Sequence, residues 1–203
     1  MYVARILYPI KVLGPGNRIG IWMAGCKHRC KGCSNPELWE FHEKYKTSLQ
    51  TVLTLVEQIA KDNVIEGFTI TGGDPFEQPD ALKELIFQLR KYNSDILVYT
   101  GYEYEIIQKK YADTLALISV LIDGKYEEGK NNASCLIGSD NQKICYIDEN
   151  VKHKYRCYIK ENHNQIQNFT SKDGIISVGI HRPDYQQELE RAIRRKGLAE
   201  VAE

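Results

Sequence analysis

A chain of 203 residues, 42% hydrophobic and 27% charged, has room for one compact domain and a tail, and it is neither a disordered polymer, a collagen-like repeat nor a disulfide knot. Lysine plus arginine and aspartate plus glutamate number 27 each, so the formal net charge is +0 and no overall field draws the protein to nucleic acid or anionic lipid. No apolar run is long enough to span a bilayer, and Met1 to Ile10, with Arg5 and Pro9, reads as a strand and not as a signal peptide. The expectation is a cytoplasmic protein with neither nucleic acid nor membrane as partner.

In chain order, short β-branched runs alternate with amphipathic stretches. Arg18 to Ala24 reads as a strand, and a helix follows the Thr47-Ser48 cap with Leu49, Val52, Leu53, Val56, Ile59 and Ala60 on one face. Gly67 to Thr71 is a strand. Pro79 to Lys91 is a helix with a stripe of Leu82, Leu85, Ile86 and Leu89, with Asn93 as its stop. Ile96 to Thr100 is a third strand, Glu103 to Tyr111 a shorter helix, and Leu117 to Ile122 an apolar strand of the kind buried on both faces. These elements predict α/β architecture with a βα ladder of four strands.

Past Asp123 the pattern changes. A polar loop from Gly124 to Asn141 precedes three alternating stretches, Lys143 to Ile147, Tyr155 to Lys160 and Ile175 to Ile180, each read as a strand. A last helix is expected from Pro183 to Lys196, with Tyr185, Leu189, Ala192 and Ile193 inward, a basic last turn and Gly197 as its stop.

Ligands of parallel α/β sheets and barrels bind at the carboxyl ends of the strands. The unusual residues of this sequence lie at those ends: Gly25-Cys26, Thr71-Gly72-Gly73-Asp74-Pro75, Thr100-Gly101-Tyr102 and Asp123-Gly124-Lys125. The first loop continues to Cys30 and Cys33 in a C-x3-C-x2-C array that brings three thiolates to one short loop. A structural zinc wants four protein ligands; His28 and His42 are candidates without a pattern, and otherwise a fourth would have to come from a distance, as from Cys135, Cys145 or Cys157. A 4Fe-4S cluster held by three cysteines keeps one iron open, which is useful when a substrate or cofactor must bind that iron. Isolated cysteines such as Cys145 read more simply as small buried hydrophobes.

Gly14-Pro15-Gly16-Asn17-Arg18, Trp22, Gly25, the three cysteines, Asn35-Pro36 and Trp39 together resemble the start of radical S-adenosylmethionine (SAM) enzymes, and most closely the glycyl-radical activases of the anaerobic ribonucleotide reductase type. Thr71-Gly72-Gly73-Asp74-Pro75 resembles that family's SAM motif, and Val98 to Tyr102, Leu121 to Gly124 and Gly138 to Gln142 follow it in order and spacing. The resemblance covers about Tyr2 to Ile147. It implies a partial, open (β/α) barrel at residues 1–149, with a C-terminal β/α extension at 150–203 packed on it. It also implies a 4Fe-4S cluster on Cys26, Cys30 and Cys33, which act as metal ligands and catalytic center. SAM is expected to be bound by Gly72, Gly73, Asp74, Thr100, Gly101, Asp123 and Lys125.

The activity so implied is reductive cleavage of SAM to a 5′-deoxyadenosyl radical that installs a glycyl radical on a partner enzyme such as anaerobic ribonucleotide reductase. An open side of the barrel would admit that large substrate. Electrons would come from a flavodoxin or ferredoxin-type donor, toward which basic Lys27, Arg29 and Lys31 could be directed. Two departures stand out: Ser34 follows Cys33 where close activators often carry histidine, and the chain continues well beyond the usual end. Radical SAM modification of a small molecule or peptide, and a non-catalytic zinc or iron–sulfur module, are the alternatives.

Overall fold

Strand β1 (Val3–Ile10) turns back antiparallel onto β2 (Arg18–Met23). Helix α1 (Leu49–Asp62) starts where the Ser48 hydroxyl accepts the Thr51 amide, and it leads to β3 (Gly67–Gly72). Proline at the first helical turn opens α2 (Pro79–Leu89), after which come β4 (Ile96–Tyr99), the short helices α3 (Tyr104–Lys110) and α4 (Ala112–Leu115), and β5 (Val120–Asp123). Strand β6 (Lys143–Tyr146) closes a six-stranded sheet of order β1-β2-β3-β4-β5-β6, parallel from β2 to β5 and antiparallel at both margins. This computed structural model describes residues 1–171 and 174–195, so the expected Lys196 end and Gly197 stop of the last helix lie outside the described residues.

The strand order decides how the sheet is covered. Consecutive parallel neighbors joined by right-handed crossovers place every crossover helix on the same face. On that face Ile19, Ile21, Met23, Phe68, Ile70, Ile96, Val98 and Leu121 pack against Val52, Val56, Leu82, Leu85, Ile86, Leu89 and Ile107. The opposite face, with Trp22, Leu97, Val120 and Ile122, gets no crossover helix and would meet water if the chain ended at β6.

The remaining chain covers it. Helix α5 (Glu149–Glu161) lays Tyr155 and Tyr158 over Leu97, Val120 and Ile122, and the hairpin of β7 (Ile166–Ser171) and β8 (Gly174–Gly179) brings Val178, Phe169 and Ile176 onto Trp22, Leu13 and Leu38. Helix α6 (Tyr185–Arg195) follows, its Tyr185 hydroxyl 2.9 Å from Ser177 Oγ.

Two expectations change here. Tyr155 to Lys160 is helix and not strand: Asp148 accepts the Asn150 amide at the helix start, and Val151, Tyr155, Tyr158 and Ile159 share one helical face, a period that the six-residue window of alternating Tyr155, Cys157 and Ile159 conceals. Strand β7, polar at Gln167 and Asn168, carries too little apolar pattern to be read alone and exists as the partner of β8.

Candidate functional site

Strand β2 delivers the chain to Gly25 and Cys26 at the carboxyl edge of the sheet, beside the Gly72-Gly73-Asp74 turn that ends β3. The two loops are clamped together: Gly73 N donates to Met23 O at 2.7 Å and Asp74 N to Gly25 O at 2.8 Å. Gly72 has a φ of +107°, and a Cβ there would stand 2.4 Å from Met23 O; a Cβ on Gly73 would stand 2.4 Å from Gly25 O. The glycine pair is thus demanded by main-chain contact with the cysteine loop as well as by any ligand. Cys26 N in turn donates to Trp39 O at 2.8 Å, so both flanks of the cysteine array are tied down.

Asp74 is the hub. Its carboxylate is 1% exposed and accepts from Phe76 N at 2.9 Å, from Gly101 N at 2.8 Å and from the Thr100 hydroxyl, which lies 3.0 Å from each oxygen. His28 Nε2, from between Cys26 and Cys30, lies 2.9 Å away. One buried side chain therefore joins the cysteine loop to the ends of β3 and β4. The His28 ring packs edge-on against Tyr102, whose hydroxyl donates to Glu77 at 2.5 Å, and Glu77 pairs with Lys27 at 2.6 Å. Burial would raise the Glu77 carboxyl, but Lys27 and the Tyr102 hydroxyl outweigh it and hold the group below its ordinary value.

These loops wall a cleft that holds Cys26, Cys30 and Cys33 together with Gly72, Gly73, Asp74, Thr100 and Gly101. The sulfurs accept main-chain hydrogen bonds, Cys33 Sγ from Asn35 N at 3.4 Å, Cys26 from His28 and Arg29, and Cys30 from Tyr126. Burial nevertheless pushes the Cys26 and Cys30 thiols up from their ordinary value. Among the described residues no three Cys, His, Asp or Glu side chains converge tightly enough for a single metal ion. Three soft thiol donors spread around one cleft, with N–H groups already on the sulfurs, fit a polynuclear iron–sulfur group. Trp39 Nε1 and His181 Nε2, in residues that line the same cleft, are buried without a hydrogen-bond partner, as suits a cleft whose occupant brings polar atoms.

Asp123 and Lys125 are not among the residues of this wall. Asp123 is buried and accepts from Tyr104 N at 2.8 Å and Lys143 N at 3.1 Å, and Lys125 is exposed, although its charge still bears on the Cys30 thiol. Gly124, between them, does line the cleft. The basic residues of the cysteine loop are each paired, Lys27 with Glu77, Arg29 with Glu40 and Lys31 with Glu128, so the loop offers little net charge to an acidic donor. Cys135, Cys145 and Cys157 are not part of the cleft wall; Cys135 and Cys145 pack in the core, where burial pushes the Cys145 thiol up to about 11.

Sequence reasoning missed His28 as the partner of Asp74, Tyr126 as a donor to Cys30, and the run Ser177 to His181, which lines the cleft from the far end of the chain. His181 Nδ1 lies 3.4 Å from the Oγ of Ser34, the residue that departs from the activase pattern.

The model of a 4Fe-4S single cluster domain matches residues 12–145. The anaerobic ribonucleoside-triphosphate reductase-activating protein of Enterobacteria phage T4 is 35% identical over 143 residues, which is 68% of this chain and 90% of that protein. The chain belongs to this family of activating proteins. The relative from Haemophilus influenzae is 32% identical over 145 residues, covering 68% of this chain and 93% of its own length. That from Escherichia coli K12 is 29% identical over 148 residues, covering 69% and 96%. The match takes in β2 to β5 and the three cysteines, and about a third of this chain lies outside what these relatives share. No helix among the described residues is long and apolar enough to cross a membrane.

Proposed function

We propose that the protein is a radical SAM activase that installs a glycyl radical on an anaerobic ribonucleotide reductase. In this reading residues 1–149 form the radical SAM core, a partial (β/α) barrel, and residues 150–203 an extension packed on it. Sequential strand order with all crossover helices on one face supports a barrel segment over a doubly wound sheet, whose order would reverse. The protein works in the cytoplasm and takes its electron from a flavodoxin or ferredoxin-type donor.

Cys26, Cys30 and Cys33 would hold three irons of the cluster and leave the fourth open. Bound there, the reduced cluster would supply the electron for cleavage of the SAM sulfonium to methionine and a 5′-deoxyadenosyl radical, the chemistry needed to abstract a hydrogen atom from the partner's glycine. The chain's own work is positional. The Gly72-Gly73-Asp74 turn and Thr100-Gly101 form the wall beside the cysteines, and Asp74 holds the two loops in register through bonds to Thr100, Gly101 and His28. With its acceptor sites so occupied, Asp74 serves SAM by shaping the wall, and Gly124 is better placed than Asp123 or Lys125 to meet the cofactor.

The observation that carries this reading is the convergence of three thiols, the Gly-Gly-Asp turn and the Thr-Gly loop on one cleft in a chain of the activating-protein family. Its test is anaerobic: load the protein with iron and sulfide, reduce it, add SAM and assay 5′-deoxyadenosine, then add the reductase and look for a glycyl-radical resonance. We expect both products from the natural chain. Cys30→Ala should give neither while its circular dichroism stays that of the natural chain; 5′-deoxyadenosine from Cys30→Ala would overturn the cluster assignment.

A further inference from the structure

Five consecutive residues, Ser177 to His181, line the cysteine cleft, the first three at the end of β8 and the last two just past it. A strand that turns a face to a cavity offers it alternate residues, because successive side chains point to opposite sides; consecutive residues are offered by an edge. Strand β8 is paired on one side with β7, and among the described residues no strand pairs with its other side. Edges are usually guarded by lysine, proline or a bulge. From Gly174 to Gly179 this one reads Gly-Ile-Ile-Ser-Val-Gly, with no charge and no proline.

The edge is held firmly in place. Gln167 of β7 donates to Pro9 O at 2.7 Å and accepts from Lys11 N at 3.1 Å, Val178 is 2% exposed, and Asn131 Nδ2 donates to His181 O at 2.8 Å. It belongs to the part of the chain that the family match does not reach, so whatever it binds is recognized by this chain's extension and not by the shared core.

We propose that the free edge of β8 is the docking site for the polypeptide substrate, which enters the cleft as an extended segment and adds to β8 as a further strand. The inference rests on the activase reading above. A glycine has no side chain to recognize, so a site that selects a glycine must hold the main chain on either side of it. Strand addition does this with main-chain hydrogen bonds, leaving side-chain pockets to supply selectivity. A small diffusible substrate would make no use of such a row of donors and acceptors, and an uncharged wall suits a segment rich in small, uncharged residues.

The test uses the full, cluster-loaded chain with its reductase under conditions in which the natural pair generates the glycyl radical, and it reads backbone hydrogen exchange. The cleft-facing amides of β8 between Ser177 and Gly179 should exchange at least about tenfold more slowly in the complex than in the free chain. Ser177→Pro and Val178→Pro each delete one N–H; because N–H groups alternate in direction along a strand, one faces β7 and the other the cleft. The cleft-facing variant should keep its cluster absorbance and bind the reductase about tenfold more weakly, the loss expected for one main-chain hydrogen bond. Radical transfer with β8 exchanging at its free rate would overturn the inference and leave the activase reading standing. Protection that rises with the concentration of the free chain would assign the edge to a second copy and overturn it too. A natural chain that forms no 5′-deoxyadenosine would instead sink the activase reading, and the inference with it.

Discussion

Two buried charges, one at each end of the sheet, hold this protein's residue-level architecture together. At the carboxyl end Asp74 satisfies Thr100, Gly101, Phe76 and His28 at once. Asp74→Ala would strand those donors, each at about 1–3 kcal/mol. We expect a lower melting temperature and less iron retained per chain after desalting, because the cysteine loop loses its anchor to β4; full iron retention would show that the hub is not needed. At the amino end Arg18, 0% exposed, donates to Thr69 Oγ1 at 2.8 Å and pairs with Asp95 at 3.1 Å, while Lys154 Nζ and the Tyr155 hydroxyl reach Asp95 at 2.9 and 2.7 Å. Burial would raise the Asp95 carboxyl, but Arg18, with Lys154 and Tyr155, holds it below its ordinary value. A lowered carboxyl pKa means stability that is present above the unfolded-state pKa, near about 4, and is lost as pH falls through the folded value. Asp95→Asn, which leaves Arg18 buried without its carboxylate, should cost about 3–5 kcal/mol at neutral pH. The variant's unfolding free energy should also vary less than the natural chain's across the acid limb, measured by urea titration at a series of pH values. Arg18 is conspicuous in the sequence as part of a family motif, yet its work is structural and at the end of the sheet away from the cysteines.

Among the elements, α5 closes the face of the sheet that no crossover helix reaches. A short window of its sequence mimics a strand, with Tyr155, Cys157 and Ile159 in alternation, whereas the whole segment from Val151 to Ile159 repeats as a helix. The period was present in the residues; the window was too short to resolve it. Helix α5 supplies Tyr155 and Lys154 to Asp95 and covers Leu97, Val120 and Ile122. A chain ending at Ile147 should therefore be insoluble or aggregated, since it exposes both the ion pair and an apolar sheet face. One ending at Glu161 should stay folded, with a lower melting temperature. If the shorter chain melted like the full one, α5 would be no part of the core. By contrast, α1 and α2 were legible nearly to the residue, because their apolar stripes are long and their starts carry a serine cap and a proline.

At the scale of the whole molecule, strand order determines where everything else goes. Consecutive parallel strands put all crossover helices on one face, so the other face needs a cover that the family's shared region does not supply within this chain. The extension supplies it, α5 over Leu97, Val120 and Ile122 and the hairpin over Trp22 and Leu38. Replacing residues 165–180 by a short Gly-Ser linker should leave the sheet and α5 folded but expose the cysteine cleft to water. We expect the loaded cluster of that variant to bleach in air several-fold faster than the natural one, followed by its visible absorbance; equal rates would mean that the hairpin does not shield the site.

The sequence by itself determined the alternation of elements and the motifs from which the chemistry of the center is proposed. Three cysteines within one loop, a Gly-Gly-Asp turn and apolar periods are all local, and local patterns survive without the fold. Tertiary structure decided the rest. That Asp74 would accept from Thr100, Gly101 and His28, that Asp123 would accept from the Tyr104 and Lys143 amides, and that Ser177 to His181 would come to line the cysteine cleft all depend on pairings between distant stretches of chain. Hydrogen-bond and burial partners of that kind are set by which strand lies next to which and by what covers the bare face, and no window of adjacent residues contains them.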